Sequence, residues 1–211
     1  MEALGLVLFL AYVVLAFGLR SVLQRRRTGS TGFHGISGRP GSVEWFAGVG
    51  FVVALVLGAA APALALAGVV EPIDALDSAA LNVLGAVLAV AGILASLAAQ
   101  VAMGSSWRIG VAEGERTTLV TTGPFALVRN PFFAALVPTA LGLTLMVPSW
   151  VALAALAATF LAIELQVRIV EEPYLRQTHG ADYATYAARV GRFVPGVGRL
   201  AAPPALQREA L

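Results

Sequence analysis

Residues 131–165 read PFFAALVPTALGLTLMVPSWVALAALAATFLAIEL, and this stretch decides the fold. It contains two apolar runs, bounded at 131–147 and 150–170, with only the turn VPS between them. A membrane-spanning helix takes about 20 apolar residues to cross roughly 30 Å of hydrocarbon, so the first run, about 25 Å long, is short. Pro138 in its middle is expected to kink it. The stretch predicts a tight antiparallel pair of membrane helices.

The rest of the chain has the composition of an integral membrane protein. Of its 211 residues, 58% are hydrophobic and 12% are charged, and the mean hydropathy is +0.83. Three further apolar runs, at 3–19, 45–70 and 79–103, are long enough or nearly long enough to span a bilayer. The first has neither a basic start nor a small-residue cleavage site, so we expect it to be retained. The predicted fold is an all-α polytopic membrane helical bundle of five transmembrane helices, with a C-terminal helical hairpin and a cytoplasmic tail.

The arginines predict the orientation of this bundle. All 14 basic residues are arginines, and they lie between the first and second runs, between the third and fourth, and at or beyond the end of the fifth. The connection 71–78 is acidic instead. The positive-inside rule then puts the N-terminus outside and the C-terminus in the cytoplasm. The 20–42 segment is interpreted as a flexible, lipid-facing linker whose arginines orient the protein. The alanine-rich, lysine-free composition indicates a bacterial inner membrane protein.

Several kinds of chemistry are excluded or disfavoured by what the sequence lacks. The chain has no cysteine, which excludes disulfides, thiol nucleophiles and cysteine-ligated metal. His34 and His179 are isolated and have no metal-ligand spacing, so no metal site is expected. Nucleophile elbows, Walker loops, zinc motifs and dinucleotide-binding glycine fingerprints are absent.

Most of the polar side chains gather in two segments, 104–131 and 164–195. In the first, Pro131 is suited to the first position of a helix and Asn130 to its cap. The exposed N–H groups of that helix start, together with Arg129, could bind an anion. The alternative is ordinary capping beside an arginine that only orients the protein.

In the second segment, Glu164, Arg168 and Glu171 have the i, i+4, i+7 spacing of one helix face, and Arg168 could also reach Glu172. Ionisable groups at the edge of a span often mark a functional site, although snorkelling side chains at a helix end are the alternative. Adjacent carboxylates point about 100° apart on a helix. The Glu171–Glu172 pair therefore favours binding of a cation over acid and base action on one bond.

Two runs of sequence carry a resemblance to a known family. They are GPFALVRNPFF at 123–133, which precedes the apolar hairpin, and EEPYLRQTHGADYATYAARVGRFVPG at 171–196. Together they resemble the isoprenylcysteine carboxyl methyltransferase family, whose pattern is G-P-[YF]-x-x-x-R-H-P-x-[YF], a helical hairpin, E-E and a Y-x-x-Y…R-x-x-P tail. Phospholipid N-methyltransferases share this arrangement. The resemblance covers about 105–198 and implies a membrane S-adenosylmethionine-dependent methyltransferase that binds its cofactor without a Rossmann domain.

The resemblance also implies which residues act. It divides the chain into an N-terminal three-helix membrane region, 1–104, and a methyltransferase-like catalytic region, 105–211. Matched position by position, the catalytic residues are Arg129, Asn130 and Glu172, and the cofactor-binding set is Arg129, Asn130, Pro131, Glu171 and Glu172. Trp107 and Arg108 fall where the family closes its pocket, and Tyr183, Tyr186, Arg192 and Pro195 match its tail. Asn130 stands in place of the family's histidine and cannot titrate near neutral pH, and Phe133 stands where tyrosine is common.

The charges of S-adenosylmethionine fit this set of residues. Glu171 or Glu172 would bind its ammonium group, and Arg129 with the neighbouring helix start would bind its carboxylate. Trp107, Phe125 and Tyr174 could flank the adenine or the sulfonium, although each could equally be an interfacial aromatic residue.

The methyl acceptor is less defined by the sequence. We expect a lipophilic molecule that enters from the bilayer and presents a carboxylate, thiol or amine at the cytoplasmic face. Nothing in the first three apolar runs identifies it further. Two alternatives stay open: an NADPH-dependent membrane reductase of the sterol-reductase type, and a non-catalytic membrane binding protein.

Overall fold

The computed structural model describes residues 1–110 and 118–201 of the chain. The described part is helical, with two isolated β-bridges and no strand. The α-helices in chain order are α1 (Glu2–Val13), α2 (Arg20–Thr28), α3 (Val43–Leu66), α4 (Ala79–Met103), α5 (Pro124–Leu127), α6 (Pro131–Met146), α7 (Trp150–Leu165) and α8 (Glu172–Arg189). Single π-helical turns, Val14–Leu19 and Gln166–Glu171, join α1 to α2 and α7 to α8. Arg116 and Arg208, two of the arginines used to predict the orientation, lie outside the described residues.

The prediction of an all-α membrane bundle is confirmed. Among the described residues, four continuous helices are long and apolar enough to span a bilayer, and α6 is a fifth, shorter apolar helix. At 16 residues, α6 is about 24 Å long, as its sequence predicts. The 147–149 turn joins it directly to α7, and the Ser149 hydroxyl accepts a hydrogen bond from the Ala152 N–H at 3.2 Å to begin α7.

The first helical segment is longer than predicted and ends in a structural contact. The chain stays helical from Glu2 to Thr28, whereas its sequence suggests an end at residue 19. Arg20 donates hydrogen bonds to the carbonyls of Gln100 and Gly104, and Gln24 donates to the carbonyl of Ser105 at 2.7 Å. The last carbonyls of a helix lack partners within it, so these two side chains complete the end of α4. The interpretation of Arg20 as part of a lipid-facing linker is therefore wrong, because its side chain is buried in this contact.

Small residues bring α4 and α6 into backbone contact. Gly85, Ala89 and Gly92 lie on the buried face of α4. A Cβ atom added to Gly92 would lie 2.3 Å from the Thr139 hydroxyl and 2.9 Å from the Ala135 carbonyl. A Cβ atom added to Gly142 on α6 would likewise lie 2.4 Å from the Ala89 nitrogen. Close approach at small residues is a common way for helices to associate where lipid removes the hydrophobic driving force.

This close approach predicts an asymmetric response to added methyl groups. We expect Gly92→Ala to lower the free energy of unfolding by about 1–3 kcal/mol, the usual range for overpacking. Gly50→Ala on α3 is the matched control, because its Cβ would sit at an ordinary 3.6 Å from Ala162. Unfolding in mixed micelles measures both. Equal stability of the two variants would show that the α4–α6 contact is looser than described.

The turn between α7 and α8 changes the direction of the side chains that follow it. A π-helical turn contains one residue more than an α-helical turn, so the residues after it are rotated relative to an unbroken α-helix. Here the turn ends at Glu171, and Glu172 begins α8. At Gly180, with φ of 50°, the helix axis changes direction again. These two irregularities direct α8 across the end of the bundle where the arginines gather.

Candidate active site

A cavity of about 590 Å³ lies at the arginine-rich end of the bundle. Its volume is within the range of pockets that bind small molecules and cofactors. One part of its wall is apolar and comes from the first helical segment and α3, including Val13, Phe17, Phe51, Val52 and Leu55. The other part is polar and aromatic and includes Trp107, Arg108, Phe125, Arg129, Asn130, Pro131, Gln166, Glu171, Tyr183 and Tyr186. The cavity therefore joins a charged end to a hydrocarbon-lined end.

The charged end is supported by a buried ion cluster around Glu172. One carboxylate oxygen of Glu172 accepts hydrogen bonds from Arg129 Nη2 and Arg192 Nε, both at 2.7 Å, and the other accepts from Arg192 Nη2 at 3.0 Å. The side chains of Arg129 and Glu172 are only 1% and 5% exposed. Paired and hydrogen-bonded in this way, with only the Arg129 Nε left without a partner among these contacts, the charges can remain buried. The hydrogen bond to Glu172 raises the pKa of the Arg192 guanidinium above its ordinary value, despite partial burial.

The same cluster fastens the C-terminal segment beneath the cavity. Arg129 also donates to the carbonyls of Ala187, Val190 and Gly198. Its backbone N–H donates to the Gly191 carbonyl at 2.8 Å. Arg129 thus connects α8, the segment that follows it and the start of α6. Its guanidinium is largely committed to protein acceptors.

Asn130 has a different role from the one its sequence position suggests. It stands at the start of α6, but its side chain makes no capping hydrogen bond. Its amide nitrogen instead donates to the Arg192 carbonyl at 3.2 Å, and its backbone N–H donates to the same oxygen at 3.1 Å. Asn130 is the N-cap residue before Pro131, as the sequence predicts, but its amide holds the C-terminal segment and does not bond to the helix N–H groups.

Glu171 and Arg108 provide opposite charges on the cavity wall. Both line the cavity; burial raises the pKa of the Glu171 carboxyl above its ordinary value, and the Arg108 guanidinium opposes that rise. The Arg108 guanidinium also lies 4.7 Å from the ring centroid of Tyr174, which fixes its plane by cation–π contact. Trp107, the residue before Arg108, is buried, and the Arg20 guanidinium lies 4.9 Å from its ring centroid. Charged and aromatic groups therefore share this end of the cavity.

The residues that the sequence assigns to catalysis and cofactor binding line one cavity, except for Glu172 and Tyr174. The lining of the cavity includes Trp107, Phe125, Arg129, Asn130, Pro131 and Glu171. Glu172 lies behind the wall in the ion cluster, and Tyr174 reaches the site through Arg108.

The expected contact between Arg168 and Glu172 is wrong. Arg168 pairs with Glu164 on the outer face of the helix, and its side chain is 54% exposed. Both oxygens of Glu172 bond to Arg129 and Arg192 instead. The π-helical turn before Glu172 accounts for the difference, since it breaks the i, i+4 register on which the expectation rests.

One wall of the cavity has no counterpart in the sequence-based site. Phe33, Gly35, Ile36 and Ser37 line it, although the 20–42 segment is expected to face lipid. The segment is held in place because the Ile109 N–H donates to the Gly32 carbonyl at 2.7 Å and the His34 N–H donates to the Ile109 carbonyl at 3.0 Å. Gly29, Gly32, Gly35, Gly38 and Gly41 all have positive φ angles. Glycine at every third position from 29 to 41 was the available signal of a defined turn-rich path.

Comparison with known proteins agrees with the site. The family model for phospholipid methyltransferase matches residues 80–182, from α4 through most of α8. The matched part includes Trp107, Arg108, Phe125, Arg129 and the Glu171–Glu172 pair. No curated protein and no solved structure matches the chain. The phospholipid methyltransferase family is related to the isoprenylcysteine carboxyl methyltransferases, so the resemblance read from the sequence is confirmed. The match covers 103 of the 211 residues and indicates an integral membrane methyltransferase.

Proposed function

We propose that this protein transfers a methyl group from S-adenosylmethionine to a lipophilic acceptor at the cytoplasmic face of a bacterial inner membrane. The observation that carries the proposal is the cavity itself. It combines an acidic and a basic side chain, Glu171 and Arg108, with buried aromatic rings at one end and an apolar wall at the other. A polar, zwitterionic donor fits the first end, and a hydrocarbon acceptor fits the second.

The residues present fit the methyl donor. Glu171, which lines the cavity, would bind its ammonium group, and Arg108 would bind its carboxylate. Trp107 and Phe125 would cover its adenine and sulfonium, because both rings are buried at the cavity wall. Glu172 and Arg129 would position the site without contacting the donor, since they bond to each other and connect α8 to the start of α6. Asn130 would keep the C-terminal segment beneath the site.

When bound, S-adenosylmethionine supplies an electrophilic methyl group. The protein's contribution would be alignment and exclusion of water, which together can lower a barrier substantially. A carboxylate or thiolate acceptor is already nucleophilic, so the site needs no strong general base. This agrees with a side chain at position 130 that cannot titrate near neutral pH.

The acceptor would reach the site from the bilayer. Val13 and Phe17 on one side and Phe51 and Leu55 on the other form the apolar part of the wall. A lipid tail lying among these side chains would leave its polar head at the charged end.

Ligand titration tests the proposal. Purified protein in nanodiscs should bind S-adenosylmethionine, measured by calorimetry, and should not bind NADPH. Binding of NADPH alone would favour a reductase. Binding of neither ligand to folded protein at millimolar concentration would overturn the proposal.

The orientation can be tested separately, because the chain contains no cysteine. Ser78→Cys, in the acidic connection before α4, should react with an impermeant thiol reagent added to intact cells. Thr118→Cys, on the side of the cavity, should react only after the cells are opened. The reverse pattern would contradict the proposed cytoplasmic location of the site.

A further inference from the structure

A second, smaller cavity lies within the bundle, farther from the arginine-rich end than the first. Its volume is about 60 Å³, and it is formed among α1, α3, α6 and α7. Phe51 and Leu55 of α3 line both cavities. The two cavities are therefore neighbours on either side of these two side chains. We call the second one the inner crevice.

The lining of the inner crevice suits hydrocarbon. Most of it consists of glycine, alanine, leucine, phenylalanine and proline. Its polar members are Tyr12, Thr139, Thr144 and Thr159. The Tyr12 hydroxyl is buried without a hydrogen-bond partner. The three threonine hydroxyls donate to the carbonyls of Ala135, Ala140 and Ala155 at 2.8, 2.9 and 2.8 Å. These three hydroxyls need no partner from the crevice. A largely apolar cavity of this kind can accept an apolar ligand.

The inner crevice continues the apolar wall of the active-site cavity and is bounded at its far end by a close contact between helices. Gly48 lines the first cavity and Pro62 lines the second, so the lined part of α3 extends over about 21 Å at 1.5 Å per residue. At the far end, a Cβ atom on Gly5 would lie 3.1 Å from Val147 and 3.8 Å from Pro62. Protein interiors contain few voids larger than a water molecule. An apolar void in line with a substrate cavity therefore suggests an apolar occupant.

We propose that the inner crevice receives the end of a single hydrocarbon chain of the methyl acceptor and limits the length of that chain. The inference rests on the proposed function, in which the acceptor's head lies at the charged end of the first cavity. A chain gains little hydrophobic free energy on moving from lipid into protein, because both surroundings are apolar. Selection must then come from packing, and a chain too long for the narrow end at Gly5 is penalised by overpacking.

Substitutions that fill the crevice provide the test. Ala155 is buried and Ala140 is partly buried, and both line the crevice. Ala155→Leu and Ala140→Leu should each shorten the space available to a chain. Ala154→Leu is the matched control, because it adds the same atoms to an exposed position on the same helix. The probe is a saturated fatty acid with a diazirine at the chain end, added to protein in nanodiscs, photolysed, and mapped by mass spectrometry. Thermal unfolding shows whether each variant is folded.

In the unsubstituted protein, we expect the label on crevice-lining residues of α6 and α7, and displacement by unlabelled fatty acid. Ala155→Leu and Ala140→Leu should reduce this labelling about tenfold, the effect of one overpacked side chain, while Ala154→Leu leaves it unchanged. Label confined to lipid-facing residues, or equal labelling in all folded variants, would overturn the inference. Normal S-adenosylmethionine binding beside that result would leave the proposed function standing. Crevice labelling without S-adenosylmethionine binding would support a hydrocarbon-binding crevice and contradict the proposed function.

Discussion

Glu172→Ala is expected to lower the free energy of unfolding by about 3–5 kcal/mol, the cost of leaving a buried charge without its partner. The substitution removes the acceptor of three hydrogen bonds at once and leaves Arg129 and Arg192 facing each other without a counter-charge. The Arg129 side chain is 1% exposed, so bulk solvent does not reach its guanidinium. Unfolding of the purified variant in mixed micelles measures the effect.

Glu164→Ala is the matched control for this prediction. Glu164 lies on the same continuous helix and also pairs with an arginine, but that partner, Arg168, is 54% exposed. Exposed ion pairs contribute at most about 1 kcal/mol. If the two alanine variants lost the same stability, the cluster around Glu172 would not be the buried junction described above.

Glu171→Gln is expected to weaken binding of S-adenosylmethionine between about tenfold and about a hundredfold. The change keeps the shape of the side chain but removes the charge that would bind the donor's ammonium group. A hydrogen bond to a charged group contributes about 1.5–3 kcal/mol, and each 1.4 kcal/mol is about tenfold in affinity. Because Glu171 lines the cavity and lies outside the Glu172 ion cluster, the variant should fold normally. Calorimetric titration gives the dissociation constant.

Glu164→Gln again provides the control, since it removes a carboxylate of the same helix from outside the cavity. Its affinity for the donor should match that of the unsubstituted protein. Unchanged affinity in Glu171→Gln would contradict the assignment of Glu171. A loss of affinity in both glutamine variants would point to a general effect of negative charge near the membrane surface.

Much of the fold could be predicted from hydrophobic length alone. A bilayer requires about 20 apolar residues per helix, and the sequence offers uninterrupted runs separated by short polar connections. The short α6 and its turn to α7 were also predictable, because VPS at 147–149 interrupts an otherwise apolar stretch. Local chemistry and membrane thickness agree at these places, so no long-range information is needed.

The role of a polar residue is not predictable from the sequence where a distant contact decides it. Arg20 and Gln24 have the composition of a linker, but they are buried against carbonyls more than 75 residues away, at the end of α4. Asn130 occupies the cap position that its sequence predicts, but its amide bonds to a carbonyl of the C-terminal segment. Sequence spacing carries no information about either partner, since both contacts depend on how the helices pack.

The sequence indicates which residues gather at the candidate site, but it does not indicate which of them face the cavity. Glu171 and Glu172 stand together in the sequence, and nothing in the pair shows which one faces a ligand. The π-helical turn that ends at Glu171 separates them, with one on the cavity wall and the other in the ion cluster. A uniform helical period correctly pairs Arg168 with Glu164, but it also allows a contact with Glu172 that the extra residue of that turn removes.

The location of bound donor tests the central claim most directly. A structure of the protein in nanodiscs with S-adenosylhomocysteine, the demethylated form of the donor, would show it. We predict that the ligand's amino nitrogen lies about 2.7–2.9 Å from a carboxylate oxygen of Glu171, with its adenine beside Trp107 or Phe125. Ligand bound outside this cavity, or held by Glu172 in place of Arg129, would contradict the account.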